Sequence, residues 1–506
     1  MFSVDQLSAV AEDPVGPAPV PLSELAGVVP GSRWTGDVPV HGVAYDSRRV
    51  VDGVLFFAMP GSHADGHQYA AAAVEAGACA LVVERELALP VPQLVVPSVR
   101  RAIGPVAGAF YGRPSEHLQV VGVTGTNGKT TTCTLLRHCL DSAGVQAGQI
   151  GTVGTRFLGR TIPTSLTTPQ APELQLTLRQ MVHAGVEAVA IEASSHGLDQ
   201  GRLDGIAFDV GVFMNLSREH LDYHVTMERY FEAKAALFDP DRCRAAVVGV
   251  DDEWGRRLAA AARIPVVTFG REHGGDVRLE VEERGLSGIV VTLHGADGDV
   301  TLPSPLIGEV NAANVAAAYL GARQLGVPPE LAAAGVASAP APPGRFQIVG
   351  PGQPFLVVVD YAHTPDALAA LIGTARRIAE GRVSVVLGAR GGRDRGKRPL
   401  LGEIAARADR VFFTTDSPGD EPIAEIIRAL YRGTLDSGRS TRVIVEPDRR
   451  SAIELAVRVA AAGDIVLIVG RGHEQFQRFG EETVPLDDRV AAQQAIEARL
   501  GELAGA

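Results

Sequence analysis

The sequence predicts an α/β protein of three domains, with a P-loop parallel sheet flanked by helices in the centre and a Rossmann-like C-terminal domain. Two observations carry this expectation. Segments 186–192, 207–214 and 245–250 are nearly continuous apolar runs, as strands covered by helices on both faces must be. The same rhythm returns at 355–359, 383–387, 411–414 and 465–469, with helical segments such as 451–462 between them. The second observation is local. An apolar strand at 118–123 is followed by Gly125-Thr126-Asn127-Gly128-Lys129-Thr130-Thr131. A helix at 131–143 comes next, with Leu135, Leu136, Cys139 and Leu140 on one side. Strand, glycine-rich turn and helix in that order make a phosphate-binding loop.

Domain limits follow from breaks in this rhythm. A Pro-rich start and short strands alternating with Ala-rich helices set apart residues 1–108. The loop opens a middle block, 109–343, and the run Ala339-Pro340-Ala341-Pro342-Pro343-Gly344 closes it as a hinge, since proline fits neither helix nor sheet interior. The last block is 344–506.

Composition narrows the class. A chain of 506 residues, 46% hydrophobic and 21% charged, suits a multidomain globular enzyme. A net charge of −12 argues against a general nucleic-acid binder. The four cysteines, Cys79, Cys133, Cys139 and Cys243, lack metal-site spacing and read as reduced thiols. Met1-Phe2-Ser3-Val4-Asp5 has no basic or apolar targeting character, and no apolar run is long enough for a membrane span. A cytoplasmic monomer with small-molecule substrates is expected.

The loop has its own chemistry. Its backbone N–H groups and the helix N-terminus face a polyphosphate, Lys129 lies near the outer phosphates and Thr130 reaches Mg²⁺. Val123 stands where the usual pattern has glycine, so the loop is short for its kind. Glu192 ends a strand, where open α/β sheets place ligands, and reads as a candidate Mg²⁺ ligand. Taken alone, His220 reads as a hydrogen-bonded structural histidine, Lys234 as a solvated helix charge and Thr167-Thr168-Pro169 as a turn.

Together these motifs resemble the Mur ligases, ATP-dependent amide-forming enzymes of peptidoglycan precursor synthesis. The resemblance spans about residues 25–495. It rests on the short loop, Glu192 with Ser194-Ser195-His196-Gly197, Asn215 through His224, Gly308-Glu309-Val310-Asn311-Ala312-Ala313-Asn314, Gly344-Arg345, Asp360-Tyr361-Ala362-His363-Thr364-Pro365 and Gly396-Lys397-Arg398-Pro399. Within the family the chain is most similar to members that add the third amino acid to UDP-N-acetylmuramoyl-L-alanyl-D-glutamate.

The resemblance implies a fold, an activity and roles. ATP phosphorylates the γ-carboxylate of the D-glutamyl residue, and an amine attacks the acyl phosphate. Residues 125–131 bind ATP, with Lys129 on the β- and γ-phosphates. Thr130 and Glu192 hold one Mg²⁺ and His220 a second, with Lys234 as a carbamylated metal ligand. Asn311 and Asn314 match adenine-side positions, and Arg345 and Asp360 reach the nucleotide when the third domain closes. Asp46-Ser47-Arg48 resembles a uridine-contact segment, and Thr167, Thr168, Ser194, Gln200 and Arg202 match muramoyl-peptide contacts. Arg398, Asp416, Gly419, Gly470 and Glu474 stand at amino-acid-binding positions.

Departures cluster in that last group. Diaminopimelate-adding members carry Asp-Asn-Pro-Arg, whose arginine grips a distal carboxylate. Here Thr415-Asp416-Ser417-Pro418-Gly419-Asp420-Glu421-Pro422 puts glycine at that place and reads one residue short. Asp420 and Glu421 read either as solvated loop charges or as partners for a side-chain ammonium, as of lysine or ornithine, in place of diaminopimelate. Gly388-Ala389-Arg390-Gly391-Gly392-Arg393-Asp394 differs from the usual Gly-Cys-Gly-Gly-Asp-Arg-Asp, with Gly392 replacing the acidic residue. Arg471 replaces a lysine and Phe346 a methionine. Two alternatives stay open: a paralogous ligase making an amide in a specialised metabolite, and a silent homologue that only binds nucleotide or muropeptide.

Overall fold

The computed structural model describes residues 17–61, 64–273, 275–296, 298–350 and 352–505; the N-terminal pentapeptide discussed above lies outside them. Three separate α/β sheets organise the chain. The first has five short strands in the order Arg33–Trp34, Gln93–Val95, Ala78–Val83, Val54–Phe57, Gly42–Ala44, parallel except at Arg33–Trp34. Its core packs Leu55, Phe57, Val82 and Leu94 against the helix Val99–Phe110.

The central sheet has eleven strands. Its parallel heart runs Ala147–Gly151, Ala188–Glu192, Gln119–Thr124, Phe208–Phe213, Cys243–Gly249, Val266–Gly270. Both faces are covered, one by the phosphate-loop helix Lys129–Ser142 with Asn311–Gln324, the other by Ala171–His183 and Met227–Ala235. Val277–Glu283 continues the sheet in parallel beyond Val266–Gly270, and antiparallel strands extend both edges, Gly154–Phe157 with Arg160–Ile162 and Ile289–Gly295 with Gly298–Ser304. Continuous apolar runs do not reveal these edge strands, since several of their residues are exposed. The phosphate-loop strand Gln119–Thr124 lies between Ala188–Glu192 and Phe208–Phe213, with Glu192 level with Val123 and Phe213 level with Thr124. Chain order reverses at that point, so the loops after all three strands open into one crevice.

The third sheet has six strands, ordered Gln347–Val349, Leu356–Asp360, Ile465–Val469, Val383–Leu387, Arg410–Phe413, Arg442–Val445, and only the first is antiparallel. The loops after Asp360, Leu387, Phe413 and Val469 therefore gather at one end. That end faces the phosphate loop. Lys397 of the third domain donates to Glu219 of the second at 2.8 and 3.2 Å, and both side chains are buried. Arg377 pairs with Glu283 at 2.6 and 2.9 Å, and Arg218 with Asp394 at 3.3 Å. These contacts across the hinge are polar, as a domain that moves relative to its neighbour requires.

One fully buried ion pair anchors the third domain. The Arg449 guanidinium donates to both Asp488 oxygens at 2.9 and 2.7 Å and to the Val469 carbonyl at 2.9 Å. This joins the last helix, Asp488–Gly505, to the end of a central strand. Removing the carboxylate leaves Arg449 buried without its partner. Asp488→Ala should destabilise this domain by about 3–5 kcal/mol. Arg33→Ala, which breaks an exposed pair with Glu86, should cost about 1 kcal/mol or less. Hydrogen-exchange protection of Ile465–Val469 in the two variants measures the contrast; equal losses would refute it.

Candidate active site

The phosphate loop is built as its sequence requires. Gly128 adopts φ 90°, and a Cβ there would lie 2.4 Å from the Asn314 amide oxygen, so both the backbone turn and the space demand glycine. The helix begins at Lys129, two residues earlier than the sequence reading placed it. Its first N–H groups thus face the crevice, where an anion binds a helix N-terminus. Asn127 N donates to the Asn215 side chain at 2.9 Å, and Ser217 N donates to the Thr126 hydroxyl at 2.9 Å. The segment after Phe213 therefore braces the loop from one side. Asn311 and Asn314 close the other: Asn314 donates to the Asn311 side chain at 2.8 Å, and the Thr132 hydroxyl donates to Asn314 at 3.3 Å.

Thr130 is the meeting point. Its hydroxyl donates to Glu192 Oε2 at 3.0 Å and accepts from Arg345 Nη2, of the third domain, at 3.3 Å. Glu192 is fully buried and also accepts from Thr152 N at 2.8 Å and Thr152 Oγ1 at 2.9 Å. Arg345 lies over the Tyr361 ring, 4.5 Å from its centre. Asp360, beside it, accepts from Phe346 N at 2.6 Å and Ala362 N at 2.7 Å, so it shapes the backbone around Arg345. Burial raises its pKa above the usual carboxylate value. The Thr364 hydroxyl reaches the Asn127 side chain at 3.4 Å and ties the third domain to the loop.

The cations crowd one carbonyl. Lys129 Nζ donates to Gly125 O at 2.7 Å and Thr126 O at 3.0 Å, and Lys234 Nζ donates to the same Gly125 O at 2.9 Å. Lys234 is 1% exposed and sits 4.8 Å from the Tyr230 ring centre. The reading of Lys234 as a solvated helix charge is thus corrected: its helix turns this face inward, with Tyr230 and Phe231. Burial, with Lys129 nearby, lowers the Lys234 pKa well below that of a free lysine. Burial likewise lowers that of Lys129, against the opposing effect of Glu192. His220 begins a short turn of helix at φ 56°, with its ring 4.7 Å from that of His196 and 6.1 Å from that of Tyr230. Burial, then His196 and Lys234, push its pKa well below that of a free imidazole, while burial and His224 bring His196 down to about 4.

A second cluster adjoins Glu192. The Thr168 hydroxyl donates to the Glu192 carbonyl at 2.6 Å and lies 2.9 Å from the Ser194 hydroxyl. Arg202 donates to Thr168 O at 2.9 Å and to Gln200 at 2.6 Å. Thr167 joins through Thr152, hydroxyl to hydroxyl at 3.1 Å. The helix that follows, Ala171–His183, carries Glu173, which accepts from Tyr45 at 2.7 Å and lies 3.7 Å from Arg49. Ser47, between Tyr45 and Arg49, starts a short 3₁₀ turn capped by Asp46. The first domain's motif is thereby held beside the second domain's.

At the third domain's strand ends, Arg398 is locked onto Glu421 at 2.9 and 3.1 Å, and Arg395 and Gly392 N approach the same carboxylate. Glu421 is therefore already neutralised. The expectation that it favours a substrate ammonium does not hold. Gly419 adopts φ 57°; its N–H donates to Arg478 O at 3.1 Å and its carbonyl accepts from Gly480 N at 2.8 Å. A left-handed turn pinned to the hairpin Phe476–Phe479 and Glu482–Pro485 explains glycine at this position. Asp416 is 3% exposed, with Arg471 3.5 Å away and the Gly470 backbone beside it. Glu474 is paired with Arg390.

Sequence reasoning missed Thr152, Tyr361 and Arg390 as members of these clusters. Thr152 follows the strand Ala147–Gly151 directly, which was a usable signal. Tyr361 lay inside a quoted motif without a role.

Comparison with known proteins agrees with this geometry. Family models match residues 39–111 (Mur ligase family, catalytic domain), 123–322 (Mur ligase middle domain) and 344–472 (Mur ligase, glutamate ligase domain). A UDP-N-acetylmuramoyl-L-alanyl-D-glutamate--2,6-diaminopimelate ligase of Geobacillus thermodenitrificans is 42% identical, covering 94% of this chain and 99% of its own. The protein of that name from Streptomyces coelicolor is 41% identical over 96% and 98%. A solved structure of a ligase so named superposes with a TM-score of 0.66 at 35% identity, covering 91% of this chain and 96% of its own. MurF ligase from Thermotoga maritima in complex with ADP shares the fold, at 22% identity and a TM-score of 0.64 over 91% and 98%. Similarity of this extent, running through all three domains and the phosphate site alike, means that the chain belongs to the Mur ligase family.

Proposed function

We propose that the protein joins the amine of an amino acid to the γ-carboxylate of UDP-N-acetylmuramoyl-L-alanyl-D-glutamate at the expense of ATP, adding the third residue of a peptidoglycan precursor. The observation that carries the reading is similarity along almost the full length to ligases of that name, with the phosphate site complete. No helix among the described residues is long and apolar enough to cross a membrane. A reaction between ATP and a nucleotide-linked acceptor belongs in the cytoplasm, the localisation we assign.

The residues divide the work. The loop N–H groups, Lys129 and Arg345 bind the polyphosphate and stabilise charge that grows as the phosphoryl group moves to the acceptor carboxylate, giving an acyl phosphate. Ser47 serves the uridine end of the acceptor, and Thr167, Thr168, Ser194, Gln200 and Arg202 its peptide. Arg398, Asp416, Gly419, Gly470 and Glu474 surround the incoming amino acid. Its amine then attacks the acyl carbon, and phosphate leaves with the electrons of the acyl–oxygen bond. Arg345 comes from the third domain and touches Thr130 of the second, so closure completes the site and excludes water.

Magnesium fits the donors present. Among the described residues no group of three His, Cys, Asp or Glu side chains is arranged to cage a metal ion. Mg²⁺ needs no such cage, since it takes one or two carboxylates, phosphate oxygens and water. Thr130 and Glu192 supply a buried hydroxyl and carboxylate 3.0 Å apart. His220 and Lys234 would serve a second ion, once Lys234 is carbamylated to an anion. When bound, the ions supply neutralisation of phosphate charge. Burial lowers the Lys234 pKa well below that of a free lysine, and the unprotonated amine is the form that reacts with CO₂.

Mass spectrometry with ATP, Mg²⁺, the UDP-dipeptide and an equimolar amino-acid panel should reveal a UDP-tripeptide. No tripeptide, but phosphate release with other acceptors, would overturn the assignment in favour of a specialised amide ligase. Lys129→Ala should lower kcat by about 100-fold or more, measured as ADP release; unchanged turnover would remove Lys129 from the phosphate site. For Lys234, incubation with ¹³C-bicarbonate should give a carbamate carbon resonance that Lys234→Arg lacks. Its absence from the native protein would dismiss the modification.

A further inference from the structure

Three of the guanidinium groups at the strand ends of the third domain differ in freedom. Arg398 is 4% exposed and held by Glu421 and the Arg390 carbonyl. Arg471 is fully buried, and its Nη2 donates to Phe476 O and Leu486 O at 2.9 Å each. Arg390 is 38% exposed. Its head donates to Glu474, and its Nε lies 3.9 Å from Asp416. Of the three it alone is free to turn toward a ligand.

Its position suits one. Gly391 N, the next residue, donates to Ser417 O at 3.0 Å, so Arg390 runs beside the Ser417-Pro418-Gly419 segment. These strand ends also adjoin the phosphate site. Tyr361 carries Arg345 on its ring, and burial with Glu474 nearby, offset in part by Arg390, raises its hydroxyl to about 12. A ligand between Arg390 and Glu474 therefore stands one aromatic ring away from the arginine that touches Thr130.

An Arg⁺–Glu⁻ pair on a pocket wall is the electrostatic complement of an ammonium–carboxylate pair on a ligand. We propose that Arg390 determines specificity for the incoming amino acid: the Arg390–Glu474 pair opens to receive a zwitterionic α-amino-acid end, its carboxylate on Arg390 and its ammonium on Glu474. The inference rests on the ligase reading above. An amino acid with two α-amino-acid centres, such as 2,6-diaminopimelate, offers one amine for attack and keeps the other centre zwitterionic. Lysine or ornithine brings an ammonium to Glu474 but leaves Arg390 displaced with no carboxylate, a cost that sets the preference. Arg390 thus supplies from one loop the cation that Gly419, held in its left-handed turn, does not supply from the neighbouring one.

The test compares kcat and KM for diaminopimelate and for lysine in the native enzyme, Arg390→Ala and Arg390→Lys, with ATP and UDP-dipeptide saturating. The native enzyme should favour diaminopimelate. Arg390→Ala should raise KM for diaminopimelate by about 10- to 100-fold and leave kcat/KM for lysine and KM for ATP within a few-fold; Arg390→Lys should fall between. Diaminopimelate selectivity that survives in both variants overturns the proposal, as does a native preference for lysine or ornithine, which leaves the ligase reading standing. A native enzyme that makes no UDP-tripeptide from any amino acid removes that reading, and the inference with it.

Discussion

Positive charge gathered around the Gly125 carbonyl, opposed by the buried Glu192, is the constraint on which the site depends. Lys129 and Lys234 both donate to that one oxygen, and Arg345 donates to the Thr130 hydroxyl, which donates in turn to Glu192. Bringing like charges together in a water-poor crevice is costly unless an anion enters or one group gives up its proton. The arrangement answers both ways. Lys234, the more deeply buried, is pushed toward the neutral amine, while Lys129 and Arg345 hold the places that the proposed polyphosphate would fill. The −12 of the whole chain is spread elsewhere and does not govern this crevice.

That concentration of charge also accounts for the polar character of the seam between the second and third domains. Lys397 with Glu219, Arg377 with Glu283 and Arg218 with Asp394 hold the third domain over the loop through directed pairs. Such pairs exchange for water when the domains part. An apolar seam would resist that opening.

Much of this was legible in the sequence, for identifiable reasons. The strands 383–387 and 465–469 match the structure residue for residue, because parallel strands buried on both faces read as nearly continuous apolar runs. Glu192 could be recognised as special, since a carboxylate ending an apolar run at a ligand crevice has few structural uses. Lys234 could not: on a helix read by itself, nothing distinguishes a buried lysine from a solvated one until the phosphate loop, with Gly125 109 residues away in the chain, is brought against it. Glu421 misled for a related reason, because its pairing with Arg398 is a tertiary contact between a loop and a helix. Gly419 was noticed as a missing side chain, whereas the structure shows it as a required backbone turn.

The separation of the sheets has an evolutionary consequence. In the proposed reading phosphoryl transfer is served by the second domain's loop, Glu192 and Lys234, and the incoming amino acid is met by loops on the third domain's own sheet, which reaches the phosphate loop through Arg345 and Thr364. Residues 390, 419 and 421 can therefore drift as a group, exchanging which loop carries the charge, while the energy-coupling half of the enzyme is left untouched. A lineage can in this way retune the chemistry of its cell wall through a few loop positions, and an inhibitor directed at the phosphate crevice would be indifferent to that drift.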